Sequence, residues 1–145
     1  MKISTNEVAE SIAQLMPSII QGAQLNFLSE SSVTHSQFFI LVALYSLGDF
    51  SMSVLAEKMH IRMPTATGLA ERLVQSGYIV RISNPNDRRS VIVRLTSKGK
   101  MFIKTFQKTI QARWDEVLKN LNKNELTQMH GIINKLKTEL QKQTS

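Results

Sequence analysis

Residues 55–96 read LAEKMHIRMPTATGLAERLVQSGYIVRISNPNDRRSVIVRLT, and this stretch decides the fold. A short helical pattern reaches a turn at His60 and Ile61, and a second helical pattern begins at Pro64 and stops at Gly77. Two stretches of alternating residues follow, separated by a polar link. The order helix, turn, helix, strand, loop, strand predicts a winged helix-turn-helix that binds duplex DNA.

The second helix of this stretch has one predicted buried side and one open side. The buried side is formed by apolar residues at helical spacing, namely Ala66, Leu69, Ala70 and Leu73. The residues left toward solvent or a partner are Thr65, Thr67, Gly68, Glu71 and Arg72. The N-terminal half of the open side has short side chains and is rich in hydroxyls, which fits insertion into the major groove of DNA.

The alternating stretches predict a β-hairpin, which would form the wing. The link NPNDRRS, residues 84–90, is rich in turn formers, so we expect a loop of about seven residues. Asp87, Arg88 and Arg89 would then lie at its tip.

A long helix is predicted before this lobe. Ser4 and Glu7 have the spacing of a capping box, and apolar residues then recur every three or four positions. Pro17 falls inside the pattern and predicts a kink or a break near Met16, because proline removes a backbone hydrogen bond. The polar run at residues 29–32 ends the helix.

Two further helices are predicted between this first helix and the central stretch. The apolar run at residues 38–47 stops at Gly48 and predicts a central, mostly buried helix. Their start signals are Thr34 with Gln37 for the apolar helix and either Ser51 or Ser53 for the short one.

Two long amphipathic helices complete the chain. The first is capped by Thr96 or Ser97, and the last by Asn122 with Glu125. Their apolar stripes are Ile103, Phe106, Ile110, Trp114, Val117 and Leu121, followed by Leu126, Met129, Ile133, Leu136 and Leu140. A small domain leaves little core to cover such stripes, which favours pairing with a second subunit, while packing back on the first helix accounts for part of them.

The predicted fold is therefore mainly α with a small β-hairpin wing. Residues 1–33 form an N-terminal dimerisation helix, residues 34–96 the winged lobe and residues 97–145 the C-terminal dimerisation helices, within one intertwined domain.

Composition restricts the function. The 145 residues carry a net charge of +7, and residues 58–113 hold twelve Lys and Arg against two acidic residues, which favours a polyanion partner. The absence of cysteine excludes disulfides and thiolate metal sites, and the three histidines are isolated in sequence. No apolar run reaches the roughly 20 residues of a membrane span, so we expect a cytoplasmic protein with no membrane partner. No catalytic motif is present, so we expect no enzyme and no cofactor.

Three segments carry a resemblance to a known family: HSQFFILVALY, then LAEKMHIRMPTATGLAERLVQSGYI, then NPNDRRSVIVRLTSKGK. They resemble the MarR family of bacterial winged-helix regulators. The resemblance implies a triangular homodimer whose terminal helices interlock, and a ligand-responsive regulator, usually a repressor, that reads a palindromic site. Small effectors of the family are typically aromatic and bind where the dimer helices meet the DNA-binding lobe.

The resemblance also assigns roles to residues. Pro64, Thr65, Thr67 and Gly68 match the groove-facing start of the recognition helix. Arg88 is similar to the wing residue that enters the minor groove, and Asp87 and Arg89 to an ion pair that shapes the loop. The roles of the two arginines are open to exchange.

Gly68 departs from the family pattern, in which an arginine is common. A bidentate arginine is worth ~1 to 3 kcal/mol of discrimination for guanine. Two interpretations remain open: base reading by Arg62, Thr65, Thr67 and Arg72, or specificity carried by the wing and by DNA shape.

Two further points concern partners. Phe27, Phe38, Met101 and Trp114 have the chemistry to line an effector crevice, although aromatics at helical spacing are more often core residues. An alternative function is a winged-helix protein-interaction module that has lost sequence-specific DNA reading, which the glycine at position 68 would favour.

Overall fold

The computed structural model describes residues 2–144 and confirms the predicted fold class. Residues 2–144 form six helices and a small three-stranded sheet. In chain order the elements are α1 Thr5–Ser29, α2 His35–Leu47, β1 Phe50–Ser51, α3 Met52–Lys58, α4 Met63–Gln75, β2 Ile79–Asn84, β3 Asp87–Leu95, α5 Ser97–Leu118 and α6 Lys123–Thr144.

The predicted capping boxes are confirmed. In α1 the Glu7 carboxylate accepts from the Ser4 backbone N–H at 2.7 Å, while the Glu7 N–H donates to the Ser4 hydroxyl at 3.2 Å. The first of these bonds, helped by the Ser4 hydroxyl, lowers the pKa of the Glu7 carboxyl. The boxes at Thr34 with Gln37 and at Asn122 with Glu125 have the same reciprocal geometry.

Helix α1 continues through Pro17, so the alternative of a break near Met16 is wrong. The proline removes a single N–H, a local cost of about 3 kcal/mol. The helix on its C-terminal side is held by burial of Ile19 and Ala23, where α1 packs along α5. Packing on a second helix therefore outweighs the local preference of proline.

Helix α2 crosses the centre of the lobe, as predicted, but it is buried on one side only. Ile40 and Leu41 are fully buried, whereas Phe39 and Leu47 remain 59% and 57% exposed. The apolar run therefore leaves aromatic and aliphatic side chains on the surface of the described chain.

The sheet contains a third strand that the sequence reading missed. Strand β3 lies between β1 and β2, with Phe50 opposite Val93 on one edge and Arg81 opposite Val93 on the other. Ser51 ends β1 and also caps α3, because its hydroxyl accepts the Val54 N–H at 3.3 Å. This assigns the cap to Ser51 rather than Ser53.

Aromatic rings join the lobe to the long helices. The Phe38 and Phe106 ring centroids lie 4.7 Å apart, and those of Phe27 and Phe102 lie 4.8 Å apart. Tyr78 meets Phe102 at 5.1 Å. These rings come from α1, α2, α5 and the start of the wing, so they pack the long helices against the winged lobe.

Helix α6 contributes no buried residue to the described chain. The apolar stripe predicted for it is largely open, with Leu126, Ile133, Leu136 and Leu140 exposed. Helix α5 packs along α1, so packing back on the first helix accounts for part of these stripes, whereas the stripe of α6 stays largely exposed in the described chain. Within residues 2–144, no helix combines the length and apolar character needed to cross a bilayer.

Gly99 provides a test of how closely the start of α5 packs against Tyr78 and Leu95. A Cβ at position 99 would collide with the Tyr78 carbonyl oxygen and press on Leu95, and backbone cannot move aside as a flexible side chain can. We expect Gly99→Ala to lower the free energy of unfolding by about 1–3 kcal/mol, measured by chemical denaturation.

Gly68→Ala is the matched control, since a Cβ at position 68 meets nothing within 4 Å and alanine favours the helix by about 0.5–1 kcal/mol. Equal stability of the Gly99→Ala protein and the wild type would contradict this packing.

Candidate nucleic-acid interface

Helix α4 presents the surface predicted for the recognition helix. A turn containing His60, whose φ is 52°, separates it from α3, and Pro64 lies in its first turn. Ala66, Ala70 and Leu73 are buried. The exposed residues on or beside this helix are Arg62, Pro64, Thr65, Thr67, Gly68, Glu71 and Arg72. Their exposure is as predicted, and their contact with DNA stays a prediction.

The wing has a shorter turn than predicted. Strand β2 ends at Asn84 and β3 begins at Asp87, so the link contains two residues, Pro85 and Asn86, rather than about seven. The Asn84 side-chain oxygen accepts the Asn86 N–H at 3.0 Å, which closes the turn locally. Asp87, Arg88 and Arg89 therefore lie on the first part of β3, next to the turn.

The predicted ion pair between Asp87 and Arg89 is wrong. Ion pairs among the described residues join Arg94 with Asp49, Lys119 with Glu116 and Lys142 with Glu139. Asp87 instead accepts the Arg89 backbone N–H at 3.0 Å. The carboxylate still shapes the wing, but by holding the main chain, and it leaves the Arg89 side chain available to another partner.

Arg88 and Arg89 lie in an irregular part of the hairpin, where the pairing of β2 with β3 shifts between Ser83 and Asn84. Arg89 lines a cleft between α4 and the hairpin, together with Asp87 and Val91. Arg88 does not line this cleft and is exposed. The two arginines are therefore placed for different contacts, although which of them enters a minor groove stays a prediction.

The cleft between α4 and the wing has a volume of about 450 Å³. Its lining combines hydroxyl, guanidinium and thioether side chains: Ser51, Met52, Ser53, Met63, Thr67, Arg81, Asp87, Arg89, Ser90 and Val91. Sequence reasoning missed Arg81, whose Nη2 donates to the Thr67 carbonyl at 3.4 Å. Its position two residues after the apolar Ile79, on the same face of β2, was the signal that could have found it.

The wing is anchored to its surroundings at both edges. The Thr96 hydroxyl donates to the Gly77 carbonyl at 2.5 Å, and Lys98 Nζ donates to the Ser76 carbonyl at 2.6 Å. At the other edge Arg94 Nε donates to Asp49 Oδ2 at 2.7 Å. Because these bonds join the end of α4, the start of α5 and the strand β1 region, the helix and the wing are presented as one surface.

A second groove is lined by Tyr78 and lies where α1 and α5 meet the winged lobe. Its volume is about 590 Å³, and its lining is Phe27, Glu30, Ser31, Ser32, Tyr78, Lys98, Met101, Phe102 and Thr105. Lys98 Nζ stands 4.5 Å from the Tyr78 ring centroid. Of the four residues considered for an effector crevice, Phe27 and Met101 line this groove; Phe38 is buried in the core and Trp114 does not line it.

The fold and this surface define a class of protein: a winged-helix protein whose exposed helix and wing lie in its most basic segment. Comparisons with known proteins agree. The MarR family model matches residues 33–91. The multiple antibiotic resistance protein MarR of Salmonella typhimurium is 30% identical over 112 residues, covering 77% of this chain and 78% of that protein. The transcriptional repressor MdtR of Bacillus subtilis is 32% identical over 120 residues, covering 81% and 76%.

Solved structures show the same fold. The transcriptional regulator Tm0710 of Thermotoga maritima superimposes with a TM-score of 0.83 at 24% identity, over 96% of this chain and 98% of that one. NadR in complex with 4-hydroxyphenylacetate superimposes with a TM-score of 0.60 at 22% identity, over 94% of each chain. This chain belongs to the MarR family of transcriptional regulators.

Proposed function

We propose that the protein is a ligand-responsive repressor that binds a palindromic DNA operator as a homodimer. The observation that carries this proposal is the joint exposure of the N-terminal half of α4 and of Arg88 and Arg89 on one anchored lobe. That lobe lies in the segment with twelve Lys and Arg against two acidic residues. A helix sized for the major groove beside a basic wing is the arrangement that reads duplex DNA.

The open helix faces support the dimer. The stripe of α6 is largely exposed in the described chain, and the first half of α1 exposes Val8, Ile12 and Leu15. Charge is complementary as well: residues 3–57 contain five acidic and no basic residues, whereas residues 123–144 contain four lysines and two glutamates. A second copy that lays its last helix near the first helix would bury both stripes and pair these charges. A two-fold dimer of winged lobes would in turn fit a palindromic site.

The groove at Tyr78 supports the effector. Phe27, Tyr78 and Phe102 provide aromatic walls, and Lys98 provides a cation at the edge. This chemistry suits a small aromatic acid, and the related NadR fold has been solved with 4-hydroxyphenylacetate. The rings that line the groove also belong to the cluster joining α1, α5 and the lobe, so a bound effector could shift the spacing of the two lobes.

A binding assay tests the effector. With a genomic duplex that the protein retains, we expect 4-hydroxyphenylacetate or another small aromatic acid to weaken DNA binding in fluorescence anisotropy. Met101→Trp should abolish that response by filling the groove, while leaving DNA affinity in the absence of ligand unchanged, because Met101 is exposed and lies outside the DNA-facing surface. DNA affinity that is insensitive to every aromatic acid in a broad panel would contradict ligand response.

A further inference from the structure

We propose that the cleft between α4 and the wing is a phosphate-binding site, in which Arg81 contacts the DNA strand that separates the major groove from the minor groove. The proposal rests on the proposed function, since it assumes that α4 and the wing engage duplex DNA. It adds a contact residue, and it gives Arg89 a partner other than Asp87.

The register of the hairpin explains why Arg81 points into the cleft. Arg81 lies opposite Val93, and Ile79 lies opposite Leu95, so these four side chains share the face of the hairpin that packs toward the helices. Ile79 and Val93 are buried there, at 1% and 0% exposure. Arg81 continues the same face past the edge of the core, where it is exposed and lines the cleft.

The Arg81 guanidinium is hydrogen-bonded to the N-terminal half of α4. Its Nη2 donates to the Thr67 carbonyl at 3.4 Å, a long bond from an exposed side chain. A guanidinium carries five N–H donors, so this contact leaves most of them free for a partner in the cleft that Arg81 lines. The Thr67 carbonyl thus positions the Arg81 guanidinium without neutralising its charge.

The remaining lining has the chemistry of a phosphate site. Phosphate oxygens are acceptors, and the cleft offers a second arginine, Arg89, with hydroxyl groups supplied by Ser51, Ser53, Thr67 and Ser90. One carboxylate also lines it, that of Asp87, and its Oδ1 already accepts the Arg89 backbone N–H at 3.0 Å. The balance of charged side chains in the cleft is therefore two cations to one engaged anion.

The geometry of DNA decides what enters this cleft. When a helix lies in a major groove and a wing in the adjacent minor groove, the sugar–phosphate strand between the grooves passes between helix and wing. A side chain in the cleft meets that strand rather than the base edges.

A phosphate contact has a signature that neither base reading nor a structural tether shares. Loss of a cation that binds phosphate weakens binding about equally for all sequences and lowers the slope of log K against log salt by about one. Loss of a base contact relaxes preference at one position of the site. Loss of a tether would change the stability of the free protein without changing the salt slope.

The test uses Arg81→Gln and Arg81→Lys in the full chain, with Lys104→Gln as the control for an exposed cation outside the cleft. Fluorescence anisotropy is measured from 50 to 300 mM salt on a duplex selected by the wild type and on a scrambled duplex. We expect Arg81→Gln to weaken both by roughly tenfold at low salt and to reduce the slope by about one, with Arg81→Lys restoring the slope.

An unchanged slope in Arg81→Gln, or a loss confined to the selected duplex, would overturn the phosphate site while leaving DNA binding by the wild type in place. An equal loss in Lys104→Gln would also overturn it, because the effect would then belong to net charge. Absence of binding by the wild type itself at low salt would overturn the proposed function, and the phosphate site with it.

Discussion

Leu136→Glu is expected to convert the dimer into monomers. Leu136 lies in the middle of the apolar stripe of α6 and is 47% exposed in the single chain, so a partner must cover it in the proposed dimer. In the proposed dimer a carboxylate there would be buried against the apolar residues of the stripe, which costs several kcal/mol at each of two symmetric positions. Light scattering at micromolar concentration should report the mass of one chain.

The same substitution should lower operator affinity by roughly a hundredfold or more, because two linked lobes bind with an avidity that one lobe lacks. Thr138→Glu is the matched control: it adds the same charge to the opposite face of α6, where the side chain is exposed. A Leu136→Glu protein that remains a dimer would show that α6 is not the dimerisation surface.

Arg88→Ala is expected to weaken binding to every DNA site by roughly tenfold or more, with fold and dimer unchanged. Arg88 is exposed on β3 and its side chain supports no packing of the described chain, so its loss should not affect the stability of the lobe. A single arginine in a narrow minor groove gains from the concentrated negative potential there. Anisotropy on several unrelated duplexes, with thermal melting as the check on folding, measures both parts.

Arg89→Ala is the informative comparison for Arg88→Ala. Arg89 lines the cleft, so its loss should lower the salt slope in the manner expected for Arg81. Full affinity in Arg88→Ala combined with a loss of roughly tenfold or more at every site in Arg89→Ala would exchange the two roles.

The features that the sequence predicted well are those set by near neighbours. The capping boxes at Ser4 and at Thr34 require two residues three positions apart, and both formed as expected. The buried stripe of α4 follows from helical periodicity, and Ala66, Ala70 and Leu73 are buried.

The features that were missed depend on the tertiary structure. Strand β1 has two residues, too few for a pattern, and exists because Phe50 pairs with Val93 more than forty positions away. The length of the wing turn and the position of Arg81 both follow from the register of β2 against β3, which the alternation of residues alone does not fix. Pro17 stayed inside a helix because α5 holds α1 in place.

Gly68 takes on a different meaning in the structure. Open space around it shows that no close approach within the chain requires glycine at this position. Two explanations of how the protein recognises its DNA site therefore stay proposals. One is base contacts by Arg62, Thr65, Thr67 and Arg72, and the other is specificity from the wing and from DNA shape. The phosphate cleft adds affinity to either of them without adding sequence preference.

The central claim is that the surface formed by α4 and the wing binds duplex DNA, and its most direct test is the salt dependence of binding to genomic duplexes. Six to ten phosphate contacts predict that affinity falls by about 10³ to 10⁵ between 50 and 200 mM salt. We expect a linear plot of log K against log salt, with a negative slope of about 0.9 for each phosphate contact. No binding at 50 mM salt, or an affinity that is the same at both concentrations, would contradict the claim and favour a winged-helix module that binds another protein.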